Sequence, residues 1–479
     1  MARLQASFLT DTEREMLHEQ TLTVLEDVGV AIPAGEALDV LEAGGARVDR
    51  DAGRVRIPRE LVARCIDTTP GQVLLAARDP EKDVVVGDGR LTFTTDGTAT
   101  YVLDDETGER HEGGAEDQHV LNKLFDALPN VDYIWPTISA RDLDPVAADL
   151  EIQAIAFRSC TKHVQDEIRT PELVSPILDM ISAVGGGTPA ERPVFSQINC
   201  TIAPLSHEPE MTRASMALAR AHVPIVIMPM PLMGTTAPMS IAGIAVQSMA
   251  ELLSALVLFQ LTEPGCPLIG APEPGVADLR TGLYLCGAPE ATLAGLVTAE
   301  MVKHCGLLCQ GLGFGGDNKA ADLQEGVEGM ASALTAALLG VDTLDAIGTM
   351  DGAQMTSLAK VVLDNDTAGM LRALVSDVPL ETADALVDDI RSVGPGGHFL
   401  ASRSTRERGR GGGLWRPDVF RRGTFETHRD STLVQDALAR AQEILATHEV
   451  TPLPDDVDDH IGEVIAAQRR LHAQRPASA

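Results

Sequence analysis

From about residue 116 the chain repeats one pattern. A short apolar run closed by Pro or Gly is followed by a helix-length amphipathic stretch. The runs fall at 133–138, 163–165, 195–202, 225–229, 267–270, 307–311 and 343–349, and helices at 209–221, 240–261, 289–304 and 322–339 fit between them. A hairpin loop is too short to hold such helices, so each must carry the chain back to a parallel neighbour. Parallel sheets are covered on both faces, which is why these runs are apolar throughout and do not alternate. The expected fold class is therefore α/β, a (β/α)8 TIM-type barrel. Seven strands are identified and the eighth is not evident. A doubly wound open sheet satisfies the same pattern and stays open as an alternative.

Residues 1–115 read as an N-terminal helical and β-rich addition. Thr10-Asp11-Thr12-Glu13 has the spacing of a capping box ahead of Leu17, Leu22, Leu25 and Val28, a helix over 10–28. A second helix is expected at 34–43. Short alternating runs at 55–57, 72–77, 83–86, 91–95 and 100–103 predict strands. The barrel is assigned to 116–430, with terminal helices at 431–447 and 456–473 inside a final unit of 431–479. The Gly- and Arg-rich stretch 394–413 is expected as a loop near the barrel mouth, and 474–479 as a disordered tail.

Hydrophobic residues make up 44% of the 479, but aromatics only 3%, so Ala, Leu, Val, Ile and Met must fill the core. The net charge of −32 repels phosphate backbones and anionic lipid, which argues against nucleic acid and membrane partners. Gln247, Ser248 and Glu251 interrupt the stretch 240–261, which is read as a core helix and no membrane span. Seven scattered cysteines form no disulfide framework, and the N-terminus shows no cleavage signal. A cytoplasmic protein is expected.

Local catalytic motifs are absent: no Walker loop, no GxSxG, no HExxH. Gly311-Leu312-Gly313-Phe314-Gly315-Gly316 does not open a helix as a dinucleotide fingerprint would. His304, Cys305 and Cys309 have a spacing that suits either metal ligands or a buried strand, and core packing is the preferred reading, with no metal site assigned. In a barrel of this class the site lies at the C-terminal ends of the strands. Those positions hold Trp135, Asp166-Glu167, Asn199, Met228-Pro229-Met230-Pro231, Glu273, Asp317-Asn318 and Met350-Asp351. A lone carboxylate there reads equally as a helix cap. So many acids converging on one rim suit a small cationic ligand. The methionines are either core filling or a soft wall for methyl groups.

Several blocks in order carry a family likeness: Thr95-Asp96-Gly97 with YVLDDETG at 101–108, DALPNVDYIWP at 126–136, Ala203-Pro204-Leu205, PMPLMGTTAPMSIAGIAVQSMAE at 229–251, DLRTG at 278–282, Gly287-Ala288-Pro289-Glu290, GGDNKAADLQEGVEG at 315–329, VLDND at 362–366 and VGPGGHFL at 393–400. The chain resembles the trimethylamine methyltransferase family over nearly its whole length. The resemblance implies a TIM barrel and methyl transfer from substrate nitrogen to cob(I)alamin. That cobalamin is carried by a separate corrinoid protein, with no cofactor held tightly in this chain. Founding members carry pyrrolysine and this chain has none, so trimethylamine is disfavoured and the implied substrate is a quaternary, betaine-like or other methylated amine. The sequence departs from relatives at Ser404-Thr405, where they carry His-Thr, and at Asp364-Asn365-Asp366, where they end in Glu.

On this reading the catalytic candidates are Glu273, Asp317, Asp351 and His398, the last either meeting the corrinoid or ordering its glycine loop. The substrate-binding candidates are Trp135, Phe314, Tyr284, Phe399, Met228 and Met230, with Arg280 and Lys319 to pair with a substrate carboxylate. A homo-oligomer is expected. The alternatives are another barrel enzyme, a lyase or hydrolase on a small polar substrate, or a non-catalytic ligand-binding relative.

Overall fold

The computed structural model describes residues 6–33, 35–97, 99–377, 383–410 and 414–474. Its central strands are β1 (Thr92–Thr95), β2 (Val164–Asp166), β3 (Phe195–Ile202), β4 (Ile225–Met228), β5 (Leu268–Gly270), β6 (Gln310–Gly311) and β7 (Thr343–Ile347). Parallel ladders join β2 to β3, β3 to β4 and β4 to β5. Gly270 bridges to Cys309 at the start of β6. Parallel ladders then join β6 to β7 and β7 to β1. Between β1 and β2 stand residues 132–135: Asp132 N donates to Phe93 O at 2.8 Å, and Ile134 bridges in parallel to Val164. The pairing returns to its starting strand, as in a (β/α)8 barrel, and no topology of an open doubly wound sheet does this.

The eighth strand of the ring is β1, which the sequence predicts as a strand at 91–95 but outside the barrel. Thr92–Thr95 falls inside the segment assigned to the N-terminal addition, so a division at residue 115 cuts the ring. Its four residues are short, Thr-rich and followed by no helix of their own until Ala115–Ala127, which hid it from the strand–helix rhythm.

One end of the ring is plugged. The hairpin Val73–Leu75 with Val84–Val86 sends Val73, Leu75, Val84 and Val86 into the same interior cluster as Ile198, Val226, Ile269 and Leu308. The contact is at the strand starts: Ala76 O faces His163 Nδ1 at 3.0 Å, and Ala76 N donates to Pro193 O at 3.1 Å. Only the C-terminal end is left to take a ligand.

The helix Ile241–Thr262 has the length and composition of a membrane span, but most of it is buried within the protein. The helices Asp11–Thr23, Gly35–Gly44 and Arg59–Thr68 pack over its outer side, so it needs no polar face. The capping box at Thr10 and Glu13 forms as read. Cys309 and Cys305 are free thiols; Cys305 Sγ lies 3.7 Å from His18 Nδ1.

The stretch expected as a loop at 394–413 instead contains a 3-10 turn, Phe399–Ala401, and the helix Arg403–Arg410, with 411–413 outside the described residues. Of the expected tail, only Gln474 is described. Ser404 Oγ donates to Asp389 Oδ2 at 2.6 Å within this exposed segment. Asp366 is buried on Leu358–Val375, where its carboxylate accepts from the backbone N–H of Asp418, Val419 and Phe420 at 2.8, 2.7 and 2.8 Å. The shorter acid at this position is therefore a structural clamp on the 418–420 backbone. Asp366→Ala leaves three backbone donors without their anion and is expected to lower stability by about 3 kcal/mol. Urea unfolding checks this: the midpoint falls while the slope stays the same, and an unshifted midpoint contradicts it.

Candidate active site

Strand alternation sends every second side chain into the ring. On β7 these are Thr343 and Asp345, and on β6 it is Gln310. They form a buried polar layer above the plug. Tyr133 Oη lies 3.0 Å from Thr343 Oγ1 and donates to Gln310 Oε1 at 3.3 Å, and Gln310 Nε2 donates to Asp345 Oδ2 at 2.9 Å. Gly313 N donates to the other oxygen, Asp345 Oδ1, at 3.2 Å. The β7–β1 register shifts between Leu344 and Ile347, where Ala346 takes the left-handed φ of 66°. Such bulges re-aim side chains at barrel rims.

Glu273 follows β5 and is anchored by its N–H to Pro229 O at 3.0 Å. Its carboxyl is in hydrogen-bonding contact with that of Asp345, and Asp96 acts on it from the end of β1. Burial first, then the charge of Asp345, pushes Glu273 well above the usual carboxylate range. Burial raises Asp345 as well. Two facing carboxyls in such a site hold a proton between them. Among the described residues no Lys or Arg pairs with either one.

Beside them, Cys200 Sγ on β3 donates to Glu167 Oε1 at 3.2 Å. Burial, then the carboxylates of Glu167, Glu273 and Asp96, drives the Cys200 thiol well above its ordinary value, so it stays protonated. Asp166 accepts from Trp135 Nε1 at 3.1 Å and from Glu167 N at 2.8 Å, and Gln153 also donates to it. Burial pushes Asp166 up to about 7, and the charge of Glu167 adds to that rise. Asp166 and Glu167 line a cleft of about 230 Å³ with Gly97, Pro136 and Arg169.

Two glycines make room for two aromatic rings. A Cβ on Gly97 would lie 1.9 Å from Trp135 Nε1, and one on Gly275 would lie 2.1 Å from Tyr284 Cε2. Tyr284 belongs to a small sheet of Leu232–Met233, Gly275–Ala277 and Tyr284–Leu285. Burial, then the charges of Cys286, Glu273, Asp96 and Asp317, raises its phenol well above the ordinary value, so it is a hydrogen-bond donor.

The structure thus brings Glu273 and Tyr284 together, with Trp135 in the wall and Asp317 beside them. Asp317 Oδ1 accepts from Cys286 N at 2.8 Å and its own N–H donates to Glu328 Oε2 at 2.8 Å, so part of its role is to hold the loop. Asp351, at φ 56°, pairs with Lys319 Nζ at 2.9 Å and lies 3.7 Å from Arg110. Lys319 is therefore already engaged. Arg280 is exposed, with Asp278 3.5 Å away. Met228 is buried inside the ring, and Met230 is exposed beyond it. Phe314 does not face the mouth: it packs edge-on to Phe93 with centroids 5.8 Å apart, in the main core. His398 and Phe399 are exposed on the segment after Ala383–Val393 and are not brought to the carboxyls. Asn199 turns outward to Ser215, Nδ2 to Oγ 3.0 Å. The residue that sequence reading missed is Asp345. Its signal was an acid at the centre of an otherwise apolar parallel strand, Thr-Leu-Asp-Ala-Ile.

A ring of parallel strands, plugged at one end and carrying buried carboxyls and aromatic rings at the other, defines a barrel enzyme with a small-molecule site at its C-terminal mouth. Over residues 3–473 the chain matches the trimethylamine methyltransferase family, and it belongs to that family of corrinoid-dependent methyltransferases. It is 28% identical over 466 residues to the glycine betaine methyltransferase of Desulfitobacterium hafniense strain Y51, covering 96% of each chain. It is 29% identical over 398 residues to a trimethylamine methyltransferase of Desulfitobacterium hafniense strain DSM 10664 / DCB-2, covering 83% of this chain and 80% of that one. The crystal structure of the Methanosarcina barkeri monomethylamine methyltransferase aligns with a TM-score of 0.48 at 11% identity, over 96% of this chain and 91% of that one.

Asp166 gives the site a pH signature. In the folded protein it is raised to about 7, above the 3.8 of an ordinary aspartate, so the folded protein binds the extra proton. Stability attributable to this group is full below about pH 4 and declines as pH rises towards 7. Asp166→Asn removes that decline. Unfolding midpoints at pH 5 and pH 8 are expected to show the variant gaining on wild type at the higher pH, and a constant difference contradicts it.

Proposed function

We propose that the mouth binds a quaternary ammonium compound of the betaine class and that the protein moves one of its N-methyl groups to cob(I)alamin on a separate corrinoid protein. The observation that carries this is the Glu273–Asp345 pair, with Asp96 nearby. These acids are buried together with no Lys or Arg paired to Glu273 or Asp345 among the described residues, and a substrate cation supplies the missing charge. The glycine betaine methyltransferase among its relatives supports the same substrate class.

Glu273 and Asp345 lose their shared proton as the cation enters, because the positive charge favours the ionised forms. Tyr284 and Trp135 offer ring faces or edges around the methyl groups, each face worth about 0.5–2 kcal/mol to a cation. The corrinoid, when its own protein meets the mouth, supplies the nucleophile that accepts the methyl group. The C–N bond breaks with both electrons passing to nitrogen, so the departing amine is neutral and needs no acid. The task of this chain is to aim one N-methyl outward and exclude water around the cation. Asp317 and Asp351 hold the loops that frame the mouth, and Arg280 at the rim is placed to meet a substrate carboxylate. His398 and Phe399 serve the approach of the corrinoid protein. The seven free cysteines support a reducing cytoplasm. Exposed Ile390, Leu400 and Leu414 support contact between copies in a homo-oligomer.

The test mixes the protein, glycine betaine and the reduced corrinoid protein, and follows the methylcobalamin absorbance. Methyl transfer is expected, with KM for betaine falling as pH rises and the carboxyls ionise. Glu273→Gln is expected to cost at least about 100-fold in kcat/KM, about 2.7 kcal/mol, and to flatten the pH dependence. No transfer from any of a panel of betaines overturns the reading.

A further inference from the structure

Glu167 is an acid of the mouth that the methyl transfer leaves without a task. It follows β2 directly, two residues past Gln165, whose amide donates to Gln310 Oε1 inside the ring at 3.4 Å, so Glu167 also turns inward. One of its oxygens, Oε1, accepts from the Cys200 thiol at 3.2 Å, and a thiol is a weak donor. The other, Oε2, takes no hydrogen bond from the described residues, and the protein does not enclose it. No Lys or Arg among the described residues pairs with Glu167. Arg169, two residues on, is held by both oxygens of Asp149 instead. Burial raises Glu167 above its ordinary value, as expected of a half-buried carboxyl with too few donors.

The space beside Glu167 is the cleft of about 230 Å³, walled on its apolar side by Ile138, Ala148 and Ile152. It begins at the mouth. Gly97, which lies against Trp135, lines it, and the Cys200 thiol is under the charge of both Glu167 and Glu273. A substrate whose ammonium head sits at Glu273 and Asp345 therefore has room for its tail in this cleft. A quaternary nitrogen has no N–H, so the head gives Glu167 no hydrogen bond, and the donor has to come from the tail. A carboxylate on the tail is repelled by Glu167. A second ammonium has to leave its own hydration behind, which is costly for a charge. A hydroxyl brings no charge out of water, and its bond to an ionised acceptor is short and strong.

We propose that Glu167 selects the substrate: the cleft takes the tail of the quaternary ammonium compound, and Glu167 Oε2 accepts a hydrogen bond from a hydroxyl on that tail. The inference rests on the cation reading of the mouth and narrows it to hydroxyl-bearing quaternary ammonium compounds. Ile138, Ala148 and Ile152 cover the carbon chain, and Cys200 holds Oε1 so that Oε2 is left for the hydroxyl. A carboxylate, where the substrate has one, stays outside the cleft at the rim with Arg280.

The test is calorimetric titration of the full chain with choline and, separately, with n-propyltrimethylammonium. The two have the same charge and nearly the same shape, and differ by a hydroxyl in place of a methyl. Choline is expected to bind at least about tenfold more tightly. Glu167→Leu is expected to bring that ratio to about one or below, and Glu167→Gln, whose side-chain oxygen still accepts, to keep part of it. Equal affinity for the two probes in the wild-type protein overturns the proposal and leaves the cation reading of the mouth standing. A choline preference that survives in Glu167→Leu shows that the hydroxyl is read elsewhere and overturns the role of Glu167. Binding of neither probe overturns the cation reading of the mouth, and this proposal with it.

Discussion

Everything at the mouth depends on two carboxyl groups being buried against each other without a cation of the protein's own. Ionising both Glu273 and Asp345 in that position is opposed by desolvation and by their mutual repulsion. The free protein settles this by keeping a proton. A permanently charged ligand settles it by replacing that proton. The same physics excludes neutral molecules of similar shape, because they bring no charge to offset the ionised pair.

The rest of the barrel keeps that arrangement in place. The hairpin ending at Val86 fills the far end of the ring, so water reaches the acids only from the mouth. The Tyr133–Gln310–Asp345 layer gives one carboxyl fixed donors and so fixes where the other must sit. Gly97 and Gly275 leave the space that Trp135 and Tyr284 occupy, and any larger residue would displace a ring. Behind the loop carrying Asp317, Lys360 pairs with Asp364 and donates to the Phe314 carbonyl, so the mouth has a charged brace on its outer side as well.

How much of this was legible follows from which signals are local. The strand–helix rhythm came through with little error; 195–202 and 289–304 match their elements residue for residue, because apolar period and Pro starts act over a few residues. The place of the 91–95 strand in the ring did not, since β1 pairs with a segment some 250 residues away and has no helix to mark it. Glu273 stands out as an acid at a strand end, and Tyr284 as one of three tyrosines in a chain poor in aromatics. Asp345 does not, because its inward direction depends on the pairing of β7. Phe314 was misleading for a related reason: a strand-end aromatic looks like a ligand wall until its rotamer turns it onto Phe93. The acid at 366, where the family likeness leads one to expect Glu, holds a distant backbone segment.

The most direct measurement of the central claim is proton release on substrate binding. Glycine betaine titrated into the protein at pH 7 in two buffers of different ionisation enthalpy yields the number of protons exchanged. The account predicts net release, close to one proton per ligand, and its loss in Asp345→Asn. Binding with no release, or with uptake, would show that the acids at the mouth are already ionised and that the cation is held by something else.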